Sequence, residues 1–258
     1  MSGRTEAEGR THIKKMKTED WVKEPDWRST QLQTKNMKVA LDYVRDLFRL
    51  PVTIYSLSHR EQLLYPQYFG ITSCEEMHIW KADEIPDSEL KYVLEKVEIS
   101  KKLILDLMRN DDFEYGFIRF SMDHLEIYRA FWITKETFLA MDCARIHLSG
   151  HKNLPIREFV SQWLSSRNTR FEWLKMHWNG EDISWNDGLE PMKWNPAIRG
   201  RNFEISDFQR VDCEKGIDFL REDGLLATVV KGGLGLIYFI VWHKRFQPEA
   251  DDLRLDSS

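Results

Sequence analysis

The stretch CARIHLSGHKNLPIREFVSQWLSSRNTRFEWLKMHWN at residues 143–179 has the same pattern as CEEMHIWKADEIPDSELKYVLEKVEISKKLILDLMRN at residues 74–110. The two segments align without a gap at an offset of 69 residues. Identical residues include Cys, His, Pro and Glu at equivalent positions, and apolar side chains alternate in the same places. A duplicated structural unit keeps its pattern in this way. The repeat predicts two equivalent units and favours a binding scaffold over a catalytic pocket.

Each unit predicts a strand, a helix that begins at a proline, and a second strand. The predicted strands are residues 76–80, 103–108, 145–149 and 171–178, and the helices begin near Pro86 and Pro155. Between the two units, a short strand is predicted at residues 117–120, and Thr134 is predicted to cap a helix. Toward the C-terminus the pattern is strand only, with strands predicted at residues 203–211, 216–221, 225–231 and 236–242. Asp223-Gly224 is a hairpin turn signal between two of them. We therefore predict an α/β fold of strand-helix-strand repeats that resemble a short leucine-rich-like solenoid, followed by an antiparallel β-meander.

The rest of the chain is divided by composition. Residues 1–35 are polar and predict a disordered arm, and residues 36–178 form the α/β repeat region. Residues 179–245 contain a loop and the β-meander, which we assign to the same domain, and residues 246–258 predict a disordered acidic tail.

Charge and hydropathy exclude several partner classes. The 37 basic and 42 acidic residues give a net charge of -5, which favours neither nucleic acid nor a membrane surface. No apolar run approaches the ~20 residues of a membrane span. The three cysteines cannot all pair, and Cys74 and Cys143 precede equivalent strands, where buried free thiols are expected. These features predict an intracellular protein, cytoplasmic or nuclear.

Catalytic and cofactor motifs have little support. His147 and His151 have the spacing of a zinc-binding helix pair, but no Glu follows the first His. The glycine-rich stretch at residues 232–235 lacks the Lys-Ser/Thr of a phosphate loop, and no cysteine stands beside an evident base. We expect no catalytic residues, no cofactor and no metal, and the protein is predicted not to be an enzyme.

A binding face follows from the alternation of side chains along the predicted strands. If the apolar positions pack under helices, the alternate positions point to the opposite face of the sheet. Trp and Arg concentrate binding energy at protein interfaces. The candidate protein-binding residues on this face, which also carries Ile104, are His78, Trp80, Asp106, Arg145, His147, Trp173, Lys175 and His177.

Two alternatives remain open for this face. The meander or the helices could instead cover it, which would make the Trp residues part of a core. The histidines could also meet at a metal, but one intervening strand would separate His78 from His147 by ~10 Å, too far for shared ligation. Structural histidines are therefore the preferred interpretation.

Several segments resemble the nematode F-box associated domain of type 2. They are Trp132–Leu148, Leu154–Leu164, Phe171–Met176, Asp218–Val229 and Phe239–His243. The resemblance extends over roughly residues 37–245. It rests on hydrophobic patterns with a few fixed residue types, so it indicates the family and not an individual member.

The resemblance implies a protein-interaction role. Proteins of that family usually carry an N-terminal F-box, which binds the Skp-type adaptor of a cullin-based ubiquitin ligase, while the associated domain captures a protein substrate. Residues 1–35 contain no F-box pattern, and Leu50-Pro51 lies where the first predicted helix ends. The implied function is therefore the substrate-binding part of such a receptor. The alternatives are a stand-alone or decoy binding protein uncoupled from the ligase, and an enzyme with an unrecognised site.

Overall fold

The computed structural model describes residues 27–48, 51–58, 65–80, 85–107, 113–178, 183–185 and 188–243. The chain divides into two units, Met1–Phe48 and Arg49–Ser258. In the first unit the described residues form one helix, α1 (Trp27–Phe48), which exposes apolar side chains such as Tyr43. The other described helices and all the described strands belong to the second unit.

The second unit has three α-helices and twelve strands among its described residues. The helices are α2 (Asp87–Lys96), α3 (Lys135–Leu139) and α4 (Ile156–Ser165). The strands are β1 (Ile54–Ser58), β2 (Ser73–Trp80), β3 (Glu98–Asp106), β4 (His124–Tyr128), β5 (Arg145–Leu148), β6 (Trp173–His177), β7 (Met192–Lys193), β8 (Asn202–Ser206), β9 (Gln209–Asp212), β10 (Ile217–Leu220), β11 (Leu226–Lys231) and β12 (Leu236–Trp242).

Ten of these strands form one mixed sheet in the order β1-β2-β3-β4-β5-β6-β12-β11-β10-β7. Strands β1 to β6 are parallel neighbours in chain order. From β6 onward every neighbouring pair is antiparallel. Strands β8 and β9 form a separate antiparallel pair.

One face of the sheet, which we call the inner face, is apolar across both halves. The central row of paired residues runs from β2 to β11 and is at most 4% exposed: Met77, Leu103, Leu125, Ile146, Leu174, Phe239 and Val229. Helices α3 and α4 pack here, since the Phe159 ring lies 5.0 Å from that of Phe138 and 6.0 Å from that of Phe239. The hydrophobic effect at this face holds the parallel and antiparallel strands together.

The opposite face, which we call the outer face, carries a second core over the antiparallel strands. Phe203 on β8 and Val211 on β9 are buried against outward-pointing residues of β6, β11 and β12. The members of this cluster are Trp173, Phe203, Val211, Cys213, Leu226, Val230, Tyr238, Ile240 and Trp242. The β8–β9 pair therefore covers one half of the outer face, while the half formed by β2 to β5 lies beyond it.

The prediction of a leucine-rich-like solenoid is wrong. The strands join one large mixed sheet, and the described connection from β3 to β4 (residues 107 and 113–123) contains no helix. The predicted meander continues the same sheet through the pairing of β12 with β6. The physical reason is that alternating apolar residues specify strands buried on one face, and they do not specify how these strands are arranged in space.

Two predicted disordered segments fall mostly or wholly outside the described residues, and membrane-spanning helices are tested only within them. The predicted arm at residues 1–35 lies mostly outside them, and the predicted tail at residues 246–258 lies wholly outside them. Within the part of the chain that the structure describes, every helix is too short or too polar to cross a bilayer.

Candidate functional site

The candidate site is the part of the outer face formed by strands β2 to β6, which we call the polar face. Its side chains are mostly half-buried, so they are ordered by their neighbours and still reach solvent. It consists of Glu76, His78, Trp80, Lys102, Ile104, Asp106, His124, Glu126, Tyr128, Arg145, His147, Lys175 and His177.

The strand register places all eight predicted binding residues on this side of the sheet. The central row of paired residues is His78, Ile104, Glu126, His147 and Lys175. The row toward the amino ends of the strands contains Arg145 and Trp173, and the row toward the carboxyl ends contains Trp80, Asp106 and His177. The alternation of side chains thus brings the eight residues onto one surface.

Two details of the prediction change. Trp173 is 5% exposed and belongs to the second core, so the alternative of coverage by C-terminal strands holds at this position. By contrast, Trp80 is 38% exposed. His78 and His147 are separated by two strands, β3 and β4, where the sequence predicted one.

Glu126, near the centre of the polar face, is surrounded by groups that bind its carboxylate. Its Oε1 atom lies 3.1 Å from Nε2 of His124 and 3.6 Å from Nζ of Lys102. Its Oε2 atom accepts a 3.1 Å hydrogen bond from the Tyr128 hydroxyl. The side chain is 15% exposed, so these contacts are only partly screened by solvent.

The pKa values of Glu126, Tyr128 and the neighbouring His147 are moved away from neutral pH. Burial tends to raise the pKa of Glu126, but the contacts with His124, Lys102 and Tyr128 lower it to about 2. Burial and the Glu126 charge raise the pKa of Tyr128 to about 12. Burial and the nearby charge of Lys175 lower the pKa of His147 to about 4. General acid–base catalysis favours pKa values near the working pH, whereas these groups offer fixed charges and fixed hydrogen-bonding roles.

Other polar contacts order the edges of the face. Nε2 of His78 lies 3.0 Å from the Glu76 carboxylate, and Nε of Arg145 donates a 2.7 Å hydrogen bond to Glu172. Lys175 forms no ion pair among the described residues. The surface therefore presents some cations already matched within the chain and one available for an external anion.

A cleft of about 490 Å³ opens at the carboxyl ends of strands β3 to β6. Asp106, Tyr128 and His177 contribute to it from the polar face, and the loop after β5 contributes His151 and Asn153. Ligands of α/β sheets bind preferentially outside the carboxyl ends of parallel strands. The cleft and the polar face share three side chains and form one continuous surface.

Backbone geometry holds the wall of this cleft. Arg129 and Gly150 have φ angles of 61° and 65°, in the left-handed region. A Cβ atom at position 150 would lie 2.9 Å from Cα of Arg129, so the close approach of the two loops requires glycine there. A 2.7 Å hydrogen bond from the backbone N–H of Ala130 to the Ser149 carbonyl also joins them.

The described part of the chain holds no cluster of metal ligands, and its three cysteine thiols are buried. No group of three or more His, Cys, Asp or Glu side chains there is arranged to hold a metal ion. Cys74, Cys143 and Cys213 are buried and free, as expected for the first two. Burial raises the pKa of these thiols to about 11, 11 and 12, so they are protonated at neutral pH.

The sequence-based site lacked the residues of β4. A strand was predicted at residues 117–120, which form no strand, and His124, Glu126 and Tyr128 were missed. The signal was present in the stretch HLEIY at residues 124–128, where polar and apolar side chains alternate with the period of a strand. Lys102 was missed because the predicted strand started one residue later, at Leu103.

Part of the chain matches a known protein family. Residues 116–176, from the loop before β4 to the penultimate residue of β6, match a family model described as F-box associated. The resemblance to the F-box associated family is confirmed. The matched segment includes β4, β5 and all of β6 except His177, and so contributes a large part of the polar face.

Two Caenorhabditis elegans proteins are similar to this chain. Uncharacterized protein F59B2.8 is 30% identical over 171 residues, which are 61% of this chain and 38% of that relative. Uncharacterized protein F59B2.9 is 25% identical over 206 residues, which are 76% of this chain and 47% of that relative. The chain therefore spans less than half the length of the curated relatives it matches. No solved structure is significantly similar to it.

Proposed function

We propose that this chain is a protein-binding module, related to the substrate-binding part of an F-box receptor, and that it captures its partner with the polar face. The partner is a protein substrate, and the module acts without a cofactor and without catalysis of its own. In the ligase, a Skp-type adaptor and a cullin would couple the captured protein to ubiquitin transfer by other subunits.

The observation that carries this proposal is the continuity of the polar face. Five adjacent strands present charged, imidazole and aromatic side chains in register on the side that the β8–β9 pair leaves uncovered. Networks such as the one around Glu126 hold these side chains in place before binding, which reduces the entropy lost on association.

Two further observations support the assignment. The match to the F-box associated model covers β4, β5 and most of β6, three of the five strands of the face. The titrating groups at its centre are fixed in one protonation state at neutral pH, which suits recognition better than proton transfer. We place the protein inside the cell, in the cytoplasm or nucleus, because cullin-based ligases act there and because its cysteines are free.

The test is affinity capture from nematode lysate with matched variants. The variant R145Q/K175Q replaces two cations of the polar face with neutral side chains and introduces no new charge that could repel a partner. The control R210Q/K215Q neutralises two exposed cations near the β8–β9 pair. Arg210 lies on β9 and pairs with Glu204, and Lys215 follows β9 in the chain. Circular dichroism and urea unfolding establish that both variants are folded.

The expected result is that R145Q/K175Q loses its captured protein while R210Q/K215Q retains it. Equal capture by both variants would contradict a role for the polar face. Recovery of the Skp-type adaptor and cullin with the wild-type chain supports the receptor role. Recovery of the same partner without them supports a stand-alone or decoy binding protein.

A further inference from the structure

In the strand register, Asp106 stands between two aromatic residues on neighbouring strands at the carboxyl edge of the polar face. Asp106 on β3 pairs with Tyr128 on β4. Ile79 on β2 pairs with Leu105, so the next residue, Trp80, stands beside Asp106 on its other side. Neighbouring strands are ~4.8 Å apart, so the three side chains leave the sheet side by side, and Asp106 and Tyr128 also line the cleft.

The Asp106 carboxylate has no ion-pair partner among the described residues. The hydroxyl of Tyr128, the residue paired with Asp106 on β4, donates instead to Glu126. Arg129, a cation on the wall of the same cleft, has an interaction of its own within the chain. Burial lowers the pKa of His151, so this imidazole is neutral at pH 7 and adds no competing charge. A negative charge at the mouth of the cleft is thus left for an external cation.

The aromatic neighbours are suited to the same ligand. Tyr128 and Trp178 line the cleft, and Trp80 lies outside its lining, beside Asp106 in the register, where it is 38% exposed. The faces of indole and phenol rings attract ammonium and guanidinium groups, most strongly at Trp. A carboxylate flanked by aromatic rings combines an ion pair with cation–π attraction, whereas an anionic or apolar ligand would gain neither.

We propose that Asp106, Trp80 and Tyr128 form a subsite that takes a lysine or arginine side chain of the partner protein. This inference rests on the proposed function and adds the chemistry of the captured segment. The basic side chain enters the cleft of about 490 Å³ and places its cationic end at the Asp106 carboxylate. Its aliphatic stem packs against the aromatic rings, as long basic side chains commonly do.

The test uses the full chain with 15N-labelled tryptophan and three short peptides. The peptides are acetylated and amidated Ala-Ala-X-Ala-Ala, with lysine, arginine or norleucine at the central position. Norleucine keeps the aliphatic chain of lysine and lacks the ammonium group. The indole N–H signal of Trp80, assigned with W80F, reports binding. D106N removes the charge, and D207N is the matched control at an exposed aspartate in the β8–β9 turn.

The expected result is a saturable shift of the Trp80 signal with the lysine or arginine peptide and none with norleucine. D106N should weaken this binding about ten-fold or more, because the cation loses its charged partner, while D207N should leave it unchanged. Equal shifts with norleucine, no shift at tens of millimolar peptide, or unchanged binding by D106N would overturn the subsite. If D106N captures the cellular partner as well as wild type while R145Q/K175Q does not, the subsite fails and the proposed function stands.

Discussion

At the scale of single residues, the polar face follows from the two-residue period of a strand. His78, Arg145, His147 and Lys175 point outward because Met77 and Ile146, at alternate positions, are buried on the inner face. This parity is readable from the sequence. The degree of burial is not, because it depends on which element lies above each position.

His147 provides a prediction at this scale. Its pKa is lowered from 6.5 to about 4 by burial and by Lys175, with smaller effects of His177 and His124 and an opposing effect of Glu126. The folded protein therefore holds His147 neutral in a pH range where the unfolded chain binds a proton there. The free energy of unfolding should fall as pH decreases from 6.5 to about 4.

The measurement is urea unfolding between pH 7 and pH 4 for wild type and H147Q. The variant should show a flatter dependence in this window because its glutamine does not titrate. Glu126 has a separate window, since its pKa of about 2 against an ordinary 4.5 removes stability only as pH falls below about 4.5. Parallel curves for the two proteins above that pH would show that His147 does not stay neutral on folding.

At the scale of elements, local pattern predicted the starts of helices α2, α3 and α4 but merged strands β8 and β9 into one strand. Helices α2 and α4 begin directly after prolines, and Thr134 caps α3 by accepting a 3.1 Å hydrogen bond from the Thr137 N–H, as expected from the sequence. Residues 203–211 were predicted as one strand, but they form most of the β8–β9 pair. The turn between them contains Asp207-Phe208, which lacks a glycine or proline signal.

The β8–β9 pair is held to the sheet by a buried polar network. Arg199, 0% exposed, donates three hydrogen bonds of 2.9–3.0 Å to Asp218 on β10. It also donates to the backbone carbonyls of Gly200 and Cys213. Thr228 on β11 donates a 2.6 Å hydrogen bond to the same carboxylate. The network ties the segment before β8 to two strands beneath it.

Replacing Arg199 tests this element. R199M leaves the Asp218 carboxylate buried without its cation, so the free energy of unfolding should fall by about 3–5 kcal/mol. The measurement is urea unfolding at pH 7, followed by intrinsic tryptophan fluorescence. The control R201M removes an exposed arginine that pairs with Asp212, and its stability should stay close to wild type. Equal effects of the two changes would argue against the buried network as the anchor.

At the scale of the whole sheet, one inner core joins the two types of strand pairing. Leu174 on β6 pairs with Phe239 on β12, and both are 0% exposed. The Phe239 ring lies 5.3 Å from that of Trp163 on α4 and 5.6 Å from that of Phe171. Parallel and antiparallel strands should therefore unfold together as one cooperative structure.

F239A tests this continuity. Removing the ring leaves a cavity at the junction, so stability should fall by about 3–5 kcal/mol. Hydrogen exchange should show lost protection in both β3–β5 and β10–β12. The control F208A removes a phenylalanine that is 100% exposed and should change stability by less than about 0.5 kcal/mol. Loss of protection confined to the antiparallel strands would indicate two independent folding units.

The sequence by itself determined which residues form most strands and helices, which side of each strand faces a core, and the resemblance to the F-box associated family. These properties depend on local periodicity, capping and residue type, so they are encoded within short segments. Only the tertiary structure decided that the strands join one mixed sheet, that β4 places Glu126 at the centre of the polar face, and that Trp173 is covered while Trp80 is exposed. These depend on contacts between residues far apart in the chain, which periodicity does not record.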